Sequence, residues 1–160
     1  MFARKFAQIT PDRPAYVMAS SGTVVTHLHL EQRANQLTHL LRDAGLGRGD
    51  HFALFMENND RYIEVCSAGE RAALHYTPVN SYLKADELAY IVNNSESQVL
   101  ITSRARREVA MEAAPMCPNV RLFLIVDGTG DDGPFRDYAT EVSKFPVAPI
   151  ADEGLGIAML

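Results

Sequence analysis

Histidine and cysteine are the residue types of this sequence best suited to metal binding or nucleophilic chemistry. No Asp or Glu completes a metal-binding set with a histidine at helical spacing, and Cys66 and Cys117 match no zinc-binding spacing. We therefore expect surface or half-buried roles for the histidines and buried, reduced thiols for the cysteines. The histidines are His27, His29, His39, His51 and His75.

Two glycine-containing segments superficially resemble ligand-binding loops. Residues 45–50 bring their third glycine one residue too early for a dinucleotide-binding loop, and they follow a predicted helix instead of opening one. Residues 127–133 begin like a calcium loop, but Asp132 occupies the position that needs glycine and Tyr138 the position that needs glutamate. We expect a helix cap with a turn at the first segment and a solvated turn at the second.

The sequence contains no motif of a serine hydrolase, a P-loop nucleotidase or a zinc protease. Asp86 and Glu87 are adjacent carboxylates that fit the first turn of a helix, where negative charge is favoured. Asp152 and Glu153 are a second adjacent pair with no required acid–base role. We assign no catalytic, cofactor-binding or metal-binding residue from motifs.

Length and composition indicate one globular domain. The chain has 160 residues, 47% hydrophobic and 22% charged, with a net charge of −5. This mildly acidic balance argues against a nucleic-acid partner. The sequence shows neither a signal peptide nor an apolar run of the roughly 20 residues that a transmembrane helix needs, so we expect a cytoplasmic protein.

Hydrophobic periodicity predicts strands that alternate with helices. Thr26 is expected to cap the first long helix, and Gly45 to end it in a left-handed conformation. Asn59 or Asp60 is expected to cap the second helix, which reaches Leu74. Strands are predicted at 15–19, 23–26, 52–56, 76–79, 98–102 and 121–126. Besides the two helices just described, helices are predicted at 85–94 and at 104–114. A polar surface loop is predicted at 127–134 and an extended connector at 145–152.

This order of elements predicts an α/β fold. Short connections between alternating strands and helices imply right-handed crossovers and parallel pairing. We expect an open, mainly parallel sheet with helices on both faces. Ligands of such sheets bind at the carboxyl ends of the strands, so residues after Met56 and Val79 are candidates for contacts if the chain binds a ligand by itself.

Taken in order, the sequence resembles the N-terminal part of the adenylate-forming enzymes, specifically the acyl-CoA synthetases (fatty-acid CoA ligases). Each stretch is weak alone, but the ordered set is specific and covers nearly the whole chain. The stretches are residues 13–16 with 21–22, 26–30, 35–37, 40–42, 44–50, 53 with 57–58, 70–80, 87–91 and 100–103.

The resemblance implies that residues 1–160 are part of the large N-terminal AMP-binding domain. Residues 152–160 resemble the strand that leads into the family's phosphate loop, which we expect directly after Leu160. Three positions depart from the family pattern, none of them catalytic. Ala73 replaces a usual glycine at a helix end, Lys84 a capping threonine, and His29 a capping-box glutamate.

The implied reaction has two steps: a carboxylic acid, preferably a fatty acid, forms an acyl-adenylate with ATP, and coenzyme A then displaces AMP. ATP, Mg²⁺ and coenzyme A are expected to serve the full-length enzyme, and none to be held by this segment alone. The remainder of the domain is an expected partner. We also expect the isolated chain to lack ligase activity and, because a sheet edge is left uncovered, to be marginally soluble.

Two alternatives remain open at this point. The chain can be a stand-alone, non-catalytic α/β binding or interaction module, or part of an aryl-CoA ligase or an amino-acid adenylation domain. The acid class, chain length and oligomeric state do not follow from these residues.

Overall fold

The structure is a computed structural model and describes residues 4–159. Helices and strands alternate through its central part, as the periodicity predicts. The helices are α1 (Arg4–Ile9), α2 (His27–Asp43), α3 (Tyr62–Arg71), α4 (Ala85–Asn94), α5 (Arg107–Ala113) and α6 (Tyr138–Val142). The strands are β1 (Pro14–Val17), β2 (Val24–Thr26), β3 (His51–Phe55), β4 (His75–Pro78), β5 (Val99–Ser103), β6 (Leu122–Val126), β7 (Arg136–Asp137) and β8 (Ile157–Ala158).

Six strands form one sheet in the order β7-β6-β5-β3-β4-β8, and every neighbouring pair is parallel. The remaining strands, β1 and β2, form a separate antiparallel hairpin. The predicted open, mainly parallel α/β sheet is therefore confirmed. The four predicted central strands are also confirmed, each with ends within one residue of the prediction.

Helices cover both faces of this sheet, because alternate residues of a strand point to opposite faces. Phe52 and Leu54 of β3 pack with α2, α3 and α6, whereas Ala53 and Phe55 pack with α4 and α5. All four side chains are fully buried. The continuous apolar run of β3 is thus explained by burial on both faces.

Both predicted ends of α2 are confirmed. The Oγ1 of Thr26 accepts a hydrogen bond from the backbone N–H of His29 at 3.2 Å. Gly45 has a φ of 87°, and the N–H of Leu46 donates to the carbonyl of Leu41 at 3.0 Å. This is the Schellman arrangement, which satisfies carbonyls at the end of a helix.

Other boundaries differ from the prediction. The second helix, α3, begins at Tyr62 and ends at Arg71. Neither Asn59 nor Asp60 caps it: the N-cap is Arg61, with no side-chain cap, and the Oδ1 of Asn59 accepts from the N–H of Arg61 in a turn before the helix. The helix predicted at 104–114 does not end sharply before Pro115. α5 is followed directly by a 3₁₀ turn, residues 114–116, that contains Pro115 and continues the helix. Proline is tolerated there because the first turn of a helix needs no N–H from it.

The segment 145–152 has no regular secondary structure, as predicted, and it lies along α2. Asn35 and Gln36 donate side-chain hydrogen bonds to the carbonyls of Val147 and Phe145, at 2.7 and 2.9 Å. The segment leads to β8, which pairs with β4. A Cβ at Gly156 would overlap the carbonyl oxygens of Gly69 and Leu74, so only glycine permits this close approach.

Within residues 4–159, no helix combines the length and the apolar character required to cross a lipid bilayer.

Candidate functional site at the carboxyl edge of the sheet

The loops that follow β3 and β4 lie side by side, because Leu54 pairs with Pro78 in the parallel ladder. Met56 and Val79, which mark the start of these loops, are buried in the core on opposite sides of the sheet. The residues after Met56 and Val79, which the sequence offers as candidates for ligand contacts, lie at the same edge of the sheet. Contact with a ligand stays a prediction. The side chains that reach the surface there begin at Glu57 and Asn80.

Glu57 is fixed by the neighbouring strand β5. Its Oε2 accepts a hydrogen bond from the Oγ of Ser103 at 2.5 Å, and its Oε1 accepts one from Asn59 at 3.2 Å. Burial raises the pKa of Glu57, but these hydrogen bonds, its own backbone N–H and the charge of Arg106 outweigh burial and lower the pKa overall. The carboxylate is therefore held ionised and oriented, which suits a positioning role better than proton transfer.

An aromatic ring and a guanidinium lie beside this carboxylate. Asn80 forms a turn in which its Oδ1 accepts from the N–H of Tyr82 at 3.0 Å. The turn presents the exposed Tyr82 ring, and the guanidinium carbon of Arg106 lies 5.1 Å from its centroid. This geometry is that of a cation–π contact.

A shallow depression of about 600 Å³ opens next to these loops. It is lined by residues 104–109 and Thr129, and it contains three arginines. Arg107 is neutralised by Asp132, since its Nε lies 2.6 Å from the Oδ1 of Asp132. Arg104 and Arg106 bring positive charge to this end of the sheet, where Glu108 lines the same depression and Glu57 lies within the field of Arg106, so the charges there are mixed.

The loop 127–134 is a surface turn, as its composition predicts; its residues are exposed or half-buried except Asp132, which is buried within it. The Oδ2 of Asp132 accepts hydrogen bonds from the N–H groups of Thr129 and Gly130, at 2.6 and 3.0 Å. The hydrogen bond from Arg107 is the main reason that the pKa of Asp132 is lowered. Asp132 therefore serves to fold the loop.

The sequence assigns no metal-binding or nucleophilic role to the histidines and cysteines, and the described residues do not bring them into one cluster. Both cysteines are free, as predicted, and burial raises the pKa of each thiol, that of Cys66 to about 11. Within residues 4–159, no three side chains of His, Cys, Asp or Glu converge as a metal site. His51 and His75 do meet each other across β3 and β4, which sequence spacing does not reveal.

Two buried carboxylates away from this edge were not predicted. Glu31 of α2 accepts two hydrogen bonds from the fully buried Arg71 of α3, at 2.8 and 3.0 Å. Burial raises the pKa of Glu31, but the bonds and charge of Arg71 outweigh it and lower the pKa overall. Glu64 of α3 accepts from the hydroxyl of Tyr138 at 2.7 Å. Both contacts join helices on one face of the sheet and support the site only indirectly.

Comparison with known proteins places this architecture in a family. The family model described as "AMP-binding enzyme" matches residues 3–153. The chain is 34% identical over 125 residues to 3-oxocholest-4-en-26-oate–CoA ligase of Rhodococcus rhodochrous, covering 78% of this chain and 22% of the relative. It is 30% identical to a medium/long-chain-fatty-acid–CoA/3-oxocholest-4-en-26-oate–CoA ligase of Mycobacterium marinum, covering 80% of this chain and 23% of the relative.

Solved structures agree. A long-chain-fatty-acid CoA ligase from Rhodopseudomonas palustris superposes with a TM-score of 0.81 at 26% identity, covering 94% of this chain and 37% of the other. The anthranilate CoA ligase AuaEII shares the fold, with a TM-score of 0.83 at 14% identity over 96% of this chain and 28% of the other.

The chain spans between a fifth and a quarter of the length of these curated relatives. The family model nevertheless covers almost all of it, in the same order of helices and strands that builds the carboxyl edge described above. This chain therefore belongs to the AMP-binding enzyme family.

Proposed function

We propose that residues 1–160 are the first part of the AMP-binding domain of an ATP-dependent acyl-CoA synthetase. The observation that carries the proposal is the family match over residues 3–153. The similarity to ligases that are named for fatty or steroid acids supports a fatty or related carboxylic acid as the substrate. A cytoplasmic location is part of the same proposal.

In the proposed reaction, a carboxylate oxygen of the acid attacks the α-phosphorus of ATP, and pyrophosphate leaves. The thiolate of coenzyme A then attacks the acyl carbon of the adenylate, and AMP leaves. ATP supplies the adenylyl group that activates the acid, and Mg²⁺ would neutralise phosphate charge when bound. We assign no step to a residue of this chain; among the described residues, no three side chains of His, Cys, Asp or Glu converge as a metal site.

The contribution proposed for this chain is positional. The sheet fixes Glu57 and the loops after β3, β4 and β5 at one edge, with arginines 104 and 106 beside them. Such an edge is where open α/β sheets bind their ligands.

A chimaera tests this proposal directly. The matched N-terminal segment of the Rhodococcus rhodochrous relative is replaced by this chain, and pyrophosphate release is measured with ATP and a panel of fatty, steroid and aromatic acids. We expect acid-dependent release from the chimaera and none from the relative lacking the segment. A chimaera that melts cooperatively but releases no pyrophosphate with any acid contradicts the proposal.

The isolated chain supplies the second arm of the test. We expect no pyrophosphate release from it, and no saturable binding of ATP, AMP, coenzyme A or a fatty acid by calorimetry. One-to-one binding of any of these ligands by the isolated chain would favour a stand-alone binding module instead. The acids that the chimaera accepts distinguish the fatty-acid from the aryl branch.

A further inference from the structure

Two imidazole rings converge at the opposite, amino-terminal edge of the sheet. His51 and His75 are the first residues of β3 and β4 and are paired in register. The Nε2 of His51 lies 3.1 Å from the Nδ1 of His75, and the two rings are nearly perpendicular, at 77°. Both residues are half-buried, so the two nitrogens are held close together but remain within reach of solvent.

A hydrogen bond between the rings leaves polar atoms beside them unmatched. The other nitrogen of His51, Nδ1, is buried and has no hydrogen-bond partner among the described residues. The Oε1 of Gln98 is also buried and also has no hydrogen-bond partner among the described residues. Gln98 is the neighbour of His51 on the β5 side, where its N–H donates to the carbonyl of His51 at 2.9 Å. Buried polar atoms are nearly always paired, so the unmatched side-chain atoms of these two neighbouring residues mark a place where a ligand could satisfy the edge.

The distance between the nitrogens suits a shared metal ion. An ion at the usual Zn–N distance of about 2.0–2.1 Å from both nitrogens would subtend an angle of roughly 95–100° between them. This angle lies between the square-planar and tetrahedral values, both of which occur for metals that prefer imidazole.

We propose that His51 and His75 together bind a divalent transition-metal ion such as Zn²⁺ or Ni²⁺, with water completing its coordination. Coordination through Nε2 keeps the proton of His51 on Nδ1, and the Oε1 of Gln98, which accepts no hydrogen bond among the described residues, would have to turn toward Nδ1 to accept it. Hard ions such as Mg²⁺ prefer oxygen ligands and do not fit this pair.

The site is independent of the proposed ligase function. It lies one strand length, about 16 Å for five residues, from the carboxyl edge. Metal binding can therefore fail while the chimaera remains active, and the reverse also holds.

Calorimetry on the untagged chain tests the site. We expect one Zn²⁺ or Ni²⁺ ion to bind per chain, and Mg²⁺ not to bind. The substitutions His51→Gln and His75→Gln should each weaken binding by at least about tenfold, since each removes one of two protein ligands. His29→Gln is the matched control, because His29 is exposed on α2 and should leave the affinity unchanged.

Nuclear magnetic resonance of the histidine ring nitrogens in the unsubstituted chain covers the case in which a variant fails to fold. On addition of Zn²⁺, the resonances of Nε2 of His51 and Nδ1 of His75 should shift together. Absence of saturable Zn²⁺ or Ni²⁺ binding, shifts confined to other histidines, or loss of binding in His29→Gln would each overturn the proposal.

Discussion

At the scale of single residues, Ala73 adopts a backbone conformation that normally belongs to glycine. Its φ is 53°, and it follows the last turn of α3, where the N–H of Leu74 returns to the carbonyl of Gly69 at 3.1 Å. The family resemblance predicts a glycine at this position. The structure gives the physical reason, which is the left-handed turn that ends the helix.

We predict that Ala73→Gly stabilises the chain by about 1 kcal/mol, because a non-glycine residue in this conformation costs roughly 1–2 kcal/mol. The greater freedom of glycine in the unfolded chain offsets part of that gain. Urea unfolding followed by circular dichroism measures the change.

Ala72→Gly is the matched control for this prediction. Ala72 is the adjacent residue, at the C-cap of the same helix, and has an ordinary φ of −82°. Glycine should give no gain there. If Ala73→Gly lowers the free energy of unfolding as much as Ala72→Gly does, the conformational explanation is wrong.

Glu64 should make stability depend on pH. Burial raises its pKa to about 7, against the lowering effects of Arg61 and of the Tyr138 hydrogen bond. The folded chain therefore holds the carboxyl proton of Glu64 more tightly than the unfolded chain does. The stabilisation is complete below about pH 4.5 and is lost as the pH rises through 7, by on the order of 3 kcal/mol.

The variant Glu64→Gln isolates this effect, because it keeps an acceptor for Tyr138 and cannot ionise. We expect the free energy of unfolding of the unsubstituted chain, relative to this variant, to fall between pH 4.5 and 7. Urea melts at closely spaced pH values provide the measurement. A constant difference between the two chains over this range would show that Glu64 ionises in the folded chain as it does in water.

The candidate site shows why contacts between functional side chains are harder to predict from the sequence than strands are. His51 and His75 are 24 positions apart, and only the register of β3 on β4 brings them together. Glu57 and Ser103 are likewise joined only by the β3–β5 pairing. Local spacing contains no signal for contacts of this kind. A predicted parallel order of strands limits which strands can be neighbours, but it does not fix the register that decides which side chains meet.

At the scale of helices and strands, the start of α4 lacks a side-chain cap. Lys84 occupies the N-cap position and has no oxygen to accept from the first turn. Half of a capping box is nevertheless present, since the Oε2 of Glu87 accepts from the N–H of Lys84 at 2.9 Å. The other half requires a hydroxyl or carboxylate at residue 84.

We predict that Lys84→Thr raises the free energy of unfolding by about 1 kcal/mol by supplying the missing acceptor. Lys84→Ala removes the same lysine without adding an oxygen and should give no comparable gain. Thermal melts of the three chains decide between these outcomes. Equal stabilisation by threonine and alanine would attribute the change to the loss of the lysine and not to capping.

Long amphipathic or apolar segments were predictable, whereas short ones were not. The pattern of α2 and the apolar runs of β3 and β6 each contain enough residues to define a period or a buried strand. In contrast, α1 buries only Ala7, and β7 has two residues. Elements of this size are stabilised by neighbours distant in the sequence, so no local pattern identifies them. The five-residue helix α6, with Tyr138 and Val142 buried, is a further case.

At the scale of the whole molecule, the sheet ends in an exposed apolar edge at β8. Leu155 and Ile157 are 80% and 59% exposed, and within residues 4–159 no strand pairs with the outer side of β8. An open strand edge with apolar side chains is a template for association. The remainder of the proposed domain is one candidate cover for it.

We predict that the isolated chain self-associates with increasing concentration and that Ile157→Lys reduces this association, because charge on an edge strand opposes pairing. Sedimentation velocity over a range of concentrations measures it. Ile9→Lys is the control, since Ile9 is 65% exposed on α1 and lies in no sheet. Monodisperse behaviour of the unsubstituted chain, or equal effects of both substitutions, would contradict the prediction.

The position of β8 beside β4 also bears on synthesis at the ribosome. His75 pairs with Ile157, so the partner strand of β4 on this side is synthesised 82 residues after β4 itself. At roughly 5–20 residues per second, that delay is about 4–16 s. The strands β3, β5 and β6 emerge and can pair earlier, while one side of β4 stays open to chaperones or to neighbouring nascent chains. Translation speed between codons 79 and 157 therefore sets how long this edge of β4 remains unpaired and open to association.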